Sequence, residues 1–302
     1  MILRPYPRRT QVPIGAALIG ATVVGAVVIA GDPVAAQAAS GAASGAADRF
    51  YERSFVLAAN ERCGLFQPQL TAALNASTWQ ARGAALRAGA DPRQLSETAA
   101  RARARAAAAA CDSADMKTVS GRVKTAFAGW SRTARMNFPG DRAGWSADRA
   151  AYSRPTWRLM QGTAVGASPV RFGLVGAMDR ADQLTAVVSW QGRSRPTGVR
   201  LVMRDTTVAP RPWLARELPP AAQRRVFWAS GVTTADPGLL VQGRTAGQAW
   251  RFPLAAADAL SGLDPREVFT VEFVFRDGSV ARTVFEAGDF AAGRAFLAMG
   301  QT

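Results

Sequence analysis

The chain has 302 residues, of which 48% are hydrophobic, and its formal net charge is +15. This length exceeds the usual single domain of about 100–200 residues, so we expect two domains or one domain with appendages. The sequence contains no histidine, which excludes Ser-His-Asp and Cys-His catalysis, two-histidine zinc sites and a histidine pH switch.

Residues 1–38 have the layout of a secretory signal peptide. A basic start is followed by an apolar run from Ile14 to Ala30 and by small residues in an A-x-A pattern that ends at Ala38. We predict cleavage near Ala38, which places the mature protein in the periplasm or outside the cell. The alternative is an uncleaved anchor, because about 17 apolar residues are near the lower limit for a membrane-spanning helix.

The positive charge comes almost entirely from arginine, since Lys117 and Lys124 are the only lysines. An exported protein normally meets no genome, so we do not expect a nucleic-acid partner. The predicted partner is an envelope protein or an anionic envelope polymer. A solvated arginine-rich surface without a dedicated ligand is the alternative interpretation.

The two cysteines, Cys63 and Cys111, both follow the predicted cleavage site. An even pair without metal-type spacing indicates a disulfide in an oxidising compartment. A reactive thiol is the other interpretation, but the chain offers no histidine partner and no C-x-x-C motif.

The first half of the mature chain is predicted to be helical. Residues 39–47 are small and predict a flexible linker, and residues 48–136 predict a domain of about four helices. The clearest period is a stripe on the fourth helix, which we expect to be buried: Met116, Val119, Val123, Phe127, Trp130 and Ala134. The third helix carries Arg101, Arg103 and Arg105, which we interpret as a solvated face.

Residues 137–156 are rich in Gly, Pro and Asp and predict a second linker. From residue 157 to 302 short β-rich runs, including "GLLVQG" at 238–243, predict an antiparallel β-rich domain. Asp277-Gly278 predicts a two-residue hairpin turn. Pairing outward from that turn sets Phe275 against Val280 and Val271 against Val284 on one face, with Glu272 and Thr283 on the other.

Two short helices, near Leu254–Leu260 and from Asp289 to Met299, complete the predicted order. The sequence therefore predicts an α+β fold: an N-terminal helical bundle stapled by a disulfide, then an antiparallel β-sandwich-like domain with a closing C-terminal helix.

Tryptophans beside arginines mark the candidate ligand contacts. One group, Trp213 with Arg211 and Arg216, lies in a proline-rich basic loop; the other is Trp250 with Arg251. Such pairs could stack on sugars or hold acidic glycans. Core packing of the tryptophan with an outward arginine explains them equally well.

Few features of the sequence point to catalysis. No phosphate-binding glycine loop, calcium loop or G-x-S-x-G motif is present, and we predict no cofactor, no metal site and no catalytic residue. Glu272, Asp277 and Glu286 lie on or near the last hairpin, so a hydrolase that uses carboxylates alone is an alternative function.

The signal, the segment "ERCGLFQPQLTAAL" and the β-rich end resemble exported proteins of alphaproteobacteria. The ending "VEFVFRDGSVARTVFEAGDFAAGRAFLAMG" resembles that of the invasion-associated locus B family. This resemblance implies a late hairpin that leads into a short closing helix. We expect a cell-envelope protein with a non-enzymatic binding or structural role, or alternatively a binder of anionic envelope glycan or lipid.

Overall fold

The computed structural model describes residues 33–152, 157–177, 180–192 and 195–302. Most of the predicted signal peptide, residues 1–32, lies outside the described residues. The fold is α+β as predicted: helices come first, antiparallel sheets follow, and a helix closes the chain. The helices are α1 (Pro33–Cys63), α2 (Pro68–Arg87), α3 (Pro92–Ala108), α4 (Ala114–Phe127), α5 (Ala255–Ser261) and α6 (Phe290–Leu297).

The strands form two antiparallel sheets. One sheet has seven strands in the order β1-β2-β3-β4-β5-β9-β8, and the other has four in the order β11-β10-β6-β7. The strands are β1 (Arg135–Phe138), β2 (Trp145–Asp148), β3 (Trp157–Val165), β4 (Ser168–Ala177), β5 (Arg180–Val188), β6 (Gly198–Arg204), β7 (Arg224–Trp228), β8 (Gly231–Thr234), β9 (Gln248–Arg251), β10 (Val268–Val274) and β11 (Val280–Glu286).

The helix ends follow from local sequence. Pro68 and Pro92 begin α2 and α3, where proline costs no helical hydrogen bond. The Asp91 side chain accepts a hydrogen bond from the Arg93 backbone N–H at 2.6 Å, which satisfies one free donor of α3. Gly64 follows α1 with a φ of +61°, a value that glycine adopts at little cost.

The helices pack closely because alanines line their contacts. Several of these alanines have at most 2% of their surface exposed: Ala59, Ala85, Ala102 and Ala106. A disulfide joins Cys63 at the end of α1 to Cys111 after α3, with 5.7 Å between the two Cα atoms, so the predicted staple is confirmed. Arg101, Arg103 and Arg105 are exposed, as the predicted solvated face requires.

Phenylalanines fill the space between the two sheets. Phe172 of the larger sheet contacts Phe269 and Phe285 of the smaller one, with ring centroids 5.2 and 5.3 Å apart. All three side chains are almost completely buried. Alternation along each strand turns these rings inward, so the sandwich core follows from the period-two pattern.

Helix α6 covers the end of the larger sheet at β1 and β2, which the smaller sheet leaves open. Its Phe296 ring lies 5.6 Å from Phe138 in β1, and its Phe290 ring lies 5.0 Å from Trp145 in β2. The Trp145 indole Nε1 donates to the Ala287 carbonyl at 2.9 Å. This contact fixes the start of α6 against the sheet.

Helix α2 packs on α6 through a buried ion pair. Arg87 donates from Nη1 and Nη2 to the two carboxylate oxygens of Asp289, at 2.7 and 2.9 Å. Gly83 allows this approach, because a Cβ at that position would collide with the Asp289 carboxylate. Ala73 and Ala76 of α2 also join the sandwich core, so the helices and the sheets share one continuous core.

Three predicted loop or strand segments differ in the structure. Helix α1 continues through residues 39–47, where we predicted a flexible linker, and Ala46 is buried there; alanine is the strongest helix former. The predicted linker at 137–156 contains the end of β1 and all of β2. The run at 238–243 is not a strand, because Leu239 and Leu240 pack across the outer face of the larger sheet.

The last hairpin exists, but its predicted register is wrong by one residue. Val274 pairs with Val280, and Val271 pairs with Thr283. Three residues, 276–278, separate Phe275 from Ser279, and Gly278 takes a φ of +80°. A three-residue loop that ends in a left-handed glycine shifts the pairing relative to a two-residue turn. Because side chains alternate along a strand, a shift of one residue exchanges the inward and outward faces of β11 relative to the prediction.

That reversal moves Val284 outward, where it is 50% exposed, and buries Thr283.

The apolar stripe of α4 also differs from the prediction. Met116 alone among its predicted members is buried, and the helix ends at Phe127. Helix α4 therefore lies at the periphery, with one side against the rest of the protein.

Candidate functional site

The predicted contact loop is fixed by its own tryptophan. The Trp213 indole Nε1 donates to the Glu217 carbonyl at 2.7 Å, and the Trp213 backbone N–H donates to Glu267 Oε1 at 3.0 Å. The ring is half-buried, whereas Arg211 and Arg216 are exposed. Trp213 therefore anchors the loop, and the two arginines remain in solvent.

The second predicted group divides between two faces of the larger sheet. Trp250 is 7% exposed and belongs to the sandwich core, whereas Arg251 is half-buried on the opposite face of β9. Trp213 is held by Glu267, beside the smaller sheet. The first group therefore lies in a loop beside the smaller sheet and the second lies on the larger sheet, so the two groups do not form one arginine-tryptophan surface.

The three candidate carboxylates have separate structural contacts. Glu272 accepts from Arg200 Nε and Arg282 Nε, each at 2.6 Å. Asp277 accepts from the Ser279 backbone N–H within the hairpin turn. Glu286 accepts from the Arg142 and Ala143 backbone N–H groups at 2.9 and 3.3 Å. Each stabilises a local feature, and these contacts do not combine the three carboxylates into one site.

A cleft of about 530 Å³ lies between the loop after α1, helix α4 and the last residues of the chain. We call it the Lys124 cleft. None of the described residues that line it is Asp or Glu. They are Gly64, Leu65, Phe66, Gln67, Gln69, Leu70, Lys124, Ala128, Ser131, Arg149, Met299 and Gln301.

Arg149 forms the buried wall of the Lys124 cleft. It is 1% exposed, and its guanidinium donates to backbone carbonyls: Nε to Thr133 at 2.9 Å, Nη1 to Gly300 at 2.6 Å and Nη2 to Ser131 at 2.6 Å. No carboxylate of the described residues forms an ion pair with it. Burial lowers the pKa of Arg149, yet an arginine stays charged at neutral pH.

Arg149 also holds the end of the chain in place. The Thr302 backbone N–H donates to the Arg149 carbonyl at 3.2 Å, and the Ala151 N–H donates to the Thr302 carbonyl at 2.9 Å. The guanidinium carbon lies 5.1 Å from the centre of the Phe296 ring in α6. These contacts join β2, α6 and the last residues into one rigid wall.

Two more donors border the same cleft. Lys124 is exposed on α4 and forms no ion pair with a described residue. The Gln301 side-chain Nε2 is shielded from solvent and has no hydrogen-bond partner among the described residues. An unpaired buried donor costs about 1–3 kcal/mol. The cleft therefore presents two cationic groups and one unsatisfied amide.

The disulfide and Asn60 hold the opposite wall. That wall starts directly after Cys63, and the Phe66 backbone N–H donates to Asn60 Oδ1 at 2.8 Å. Asn60 Nδ2 donates to Thr71 Oγ1 at 3.1 Å. Both ends of the segment between α1 and α2 are thus tied to helices. The cleft has fixed walls on two sides.

Sequence reasoning missed this site because its parts are far apart in the chain. Arg149 lies in the segment that we predicted to be a linker, and Gln301 is one residue from the end. One weak signal was available: Lys124 is one of only two lysines in a chain that otherwise uses arginine. The proximity of these groups is visible only in the fold.

Comparisons with known proteins give no match: no family model, no curated protein and no solved structure is significantly similar to this chain. Within the part of the chain that the structure describes, no helix is both long and apolar enough to cross a membrane. The same residues contain no cluster of three or more Cys, Asp or Glu able to bind a metal ion.

Proposed function

We propose that this protein is an exported, non-enzymatic binding protein of the cell envelope. We further propose that the Lys124 cleft holds the anionic head of a ligand with an apolar body. The observation that carries the proposal is Arg149, a buried cation whose hydrogen-bond partners among the described residues are all carbonyls, in a cleft whose described lining residues include no Asp or Glu.

A buried charge is costly unless an opposite charge or several hydrogen bonds compensate for it. Carbonyl oxygens supply part of that compensation for Arg149, and the contact of Nη1 with Gly300 uses one of its two N–H groups. An oxyanion in the cleft would add the missing negative charge. It could also accept from Lys124 and from the unpaired Gln301 amide, since charge-assisted hydrogen bonds are the strong ones.

The remaining lining favours an apolar ligand body. Leu65, Phe66, Leu70 and Met299 border the cleft, and the first three are half-buried. A volume of about 530 Å³ falls within the range of about 300–1,000 Å³ that is typical of small-molecule sites. Fatty carboxylates and alkyl phosphates combine the two required features. This ligand class corresponds to the alternative function predicted from the sequence, a binder of anionic envelope glycan or lipid, although that prediction placed the contacts at the arginine-tryptophan groups.

The envelope location is supported by two features of the chain. Residues 1–38 have the layout of a secretory signal, and the Cys63–Cys111 disulfide is typical of oxidising compartments. Cell fractionation followed by electrophoresis without reductant tests both at once. A cytoplasmic protein with two free thiols would contradict the proposed location.

Calorimetric titration with octanoate, octyl phosphate and neutral 1-octanol tests the ligand class. We expect the two anions to bind and the alcohol to bind far more weakly, because only the anions compensate Arg149. A preference between octanoate and octyl phosphate identifies the head group. Equal affinity for 1-octanol, or no binding of either anion at millimolar concentration, would refute an anion site.

The two lysines provide a matched pair of variants on one helix. Lys124→Met removes the exposed cation of the cleft, and we expect the affinity for the anion to fall about tenfold or more. Lys117→Met removes the other lysine of α4, which does not line the cleft, so affinity should stay unchanged. Equal effects of the two variants would mean that general surface charge attracts the ligand.

A further inference from the structure

A second cavity lies at the opposite edge of the larger sheet, where β5 ends and β9 begins. Its volume is about 360 Å³, and we call it the Trp190 cavity. Val188, Gln248 and Thr234 lie side by side across β5, β9 and β8. Val188 points into the core, and residues directly opposite on paired strands share a face. Gln248 and Thr234 therefore also face the interior of the sandwich.

The cavity exists because the larger sheet is wider than the smaller one. Val232 lies two residues before Thr234 on the same inward face of β8, yet it is 44% exposed. Helix α6 covers the inward face of the extra strands β1 and β2. Its contacts with the larger sheet lie at that end, far from β8 in the strand order. The inward face at β8 is thus open to solvent at the side of the sandwich.

Two buried polar atoms that have no hydrogen-bond partner among the described residues belong to residues that line this cavity. They are Trp190 Nε1, a donor, and Gln248 Oε1, an acceptor. A third, Trp250 Nε1, belongs to the next inward residue of β9. Each unpaired group costs about 1–3 kcal/mol of stability. A ligand that supplies the missing partners would recover part of that cost.

Trp190 is held rigidly for such a contact. Its ring packs edge-to-face on Phe273 and Phe275, with centroids 5.0 and 5.3 Å apart. Fixing the ring before binding reduces the conformational entropy that a ligand contact must overcome. The position of the Trp190 ring is therefore set in advance by the sandwich core.

The lining chemistry selects a neutral hydroxylated ligand. A hydroxyl group both accepts and donates, so a hydroxylated ligand can supply an acceptor for Trp190 Nε1–H and a donor for Gln248 Oε1. The Thr234 hydroxyl offers a further polar contact, whereas Val232, which is 44% exposed, offers apolar surface for C–H groups. None of the described lining residues is acidic. The one charged residue among them, Arg195, is exposed, so unlike the buried Arg149 it keeps its hydration and requires no anionic ligand.

We infer that the Trp190 cavity binds one neutral saccharide unit, a ring that combines several hydroxyls with an apolar C–H face. This site is separate from the Lys124 cleft and does not depend on the ligand proposed there. The cavity volume, near the lower end of the usual range for small-molecule sites, suits one such ring.

Indole N–H signals in a ¹⁵N-correlated NMR spectrum provide a direct test. D-Glucose, N-acetyl-D-glucosamine and maltose are titrated separately into the full protein, and Trp190→Phe assigns the Trp190 signal. We expect at least one saccharide to shift that signal with saturation, because its N–H gains an acceptor. An unmoved Trp190 signal with all three saccharides would overturn the inference and leave ordered water as the partner.

Gln248→Met keeps the side-chain length and removes the unpaired acceptor. We expect saccharide affinity to fall about tenfold, while the free variant is at least as stable as the original protein, because it no longer buries an unpaired oxygen. Gln183→Met on β5 is the control, since Gln183 donates to the Phe252 carbonyl and does not line the cavity. Unchanged saccharide affinity in Gln248→Met would also overturn the inference.

Lys124→Met separates this inference from the proposed function. That variant should bind saccharide normally while it loses affinity for octanoate. Loss of saccharide binding in Lys124→Met would mean that the ligand occupies the Lys124 cleft, and it would overturn the assignment to the Trp190 cavity.

Discussion

The helical region and the β-sandwich are stabilised by different means. Between the helices the buried residues are mostly alanines, each with little side chain to remove from water, and a disulfide joins α1 to the end of α3. Between the sheets large aromatic rings pack against one another. Hydrophobic stabilisation grows with the apolar area buried, so a covalent link matters more where side chains are small.

The largest expected effect is in the sandwich. Phe172→Ala removes a fully buried ring that contacts Phe252, Phe269 and Phe285, and we expect a loss of about 3–5 kcal/mol in the free energy of unfolding. Phe55→Ala, at a half-buried position in the helical region, is the matched change and should cost clearly less. Urea denaturation measures both, and equal losses would remove the contrast between the regions.

The second-largest expected effect is the loss of stability in the helical region when the disulfide is removed. Replacement of Cys63 and Cys111 by serine frees a segment with a sequence separation of 48 residues, and we expect a loss of about 2–4 kcal/mol. Far-ultraviolet circular dichroism reports the helices, and near-ultraviolet dichroism reports the aromatic core. We expect the helical signal to be lost first on heating; simultaneous loss would show that the staple supports both regions equally.

Two glycines on helices test close packing between the regions. Gly83→Ala forces a methyl group into the Asp289 carboxylate and disturbs its ion pair with Arg87, so a loss of about 1–3 kcal/mol is expected. Gly121→Ala in α4 meets open space and should stabilise by about 0.5–1 kcal/mol through helix propensity. Thermal unfolding measures the two opposite shifts, and a neutral Gly83→Ala would mean that α2 and α6 separate easily.

The smallest effect is a pH dependence of opposite sign at two carboxylates, one at the contact between α2 and α6 and one in the smaller sheet. Burial raises the pKa of Asp289, and Arg87 only partly opposes this. For Glu272 burial also raises the pKa, but hydrogen bonds from Arg282 and Arg200 outweigh it, and the net pKa is lowered. Because folding raises the pKa of Asp289, its contribution to the free energy of unfolding is fully present below the ordinary pKa of 3.8 and is lost as the pH rises. Because folding lowers the pKa of Glu272, its contribution to the free energy of unfolding is fully present above the ordinary pKa of 4.5 and is lost as the pH falls.

Asp289→Asn and Glu272→Gln remove these two contributions separately. Urea denaturation at several pH values between about 3 and 6 gives the difference in stability between each variant and the original protein. We expect that difference to shrink with rising pH for Asp289→Asn and to grow for Glu272→Gln. The same sign for both would contradict the assignment of opposite pKa shifts.

Much of the fold could be predicted because its signals are local. Pro68 and Pro92 mark helix starts, and alternating apolar residues mark most of the strands. The disulfide followed from the count of cysteines. The predicted contact residues stay a prediction, because a tryptophan beside an arginine has the same sequence signature whether it is buried, as Trp250 is, or half-buried, as Trp213 is.

Sequence by itself determined the order and type of the main elements and the pairing of Cys63 with Cys111, because these depend on local periodicity and on there being two cysteines. Tertiary structure alone decided the hairpin register, which one extra turn residue shifts and which turned Val284 outward. It also decided the burial of Arg149 beside Lys124 and Gln301, and of Trp190 beside Gln248. Those juxtapositions join residues far apart in the chain, and no local pattern encodes the distance between them.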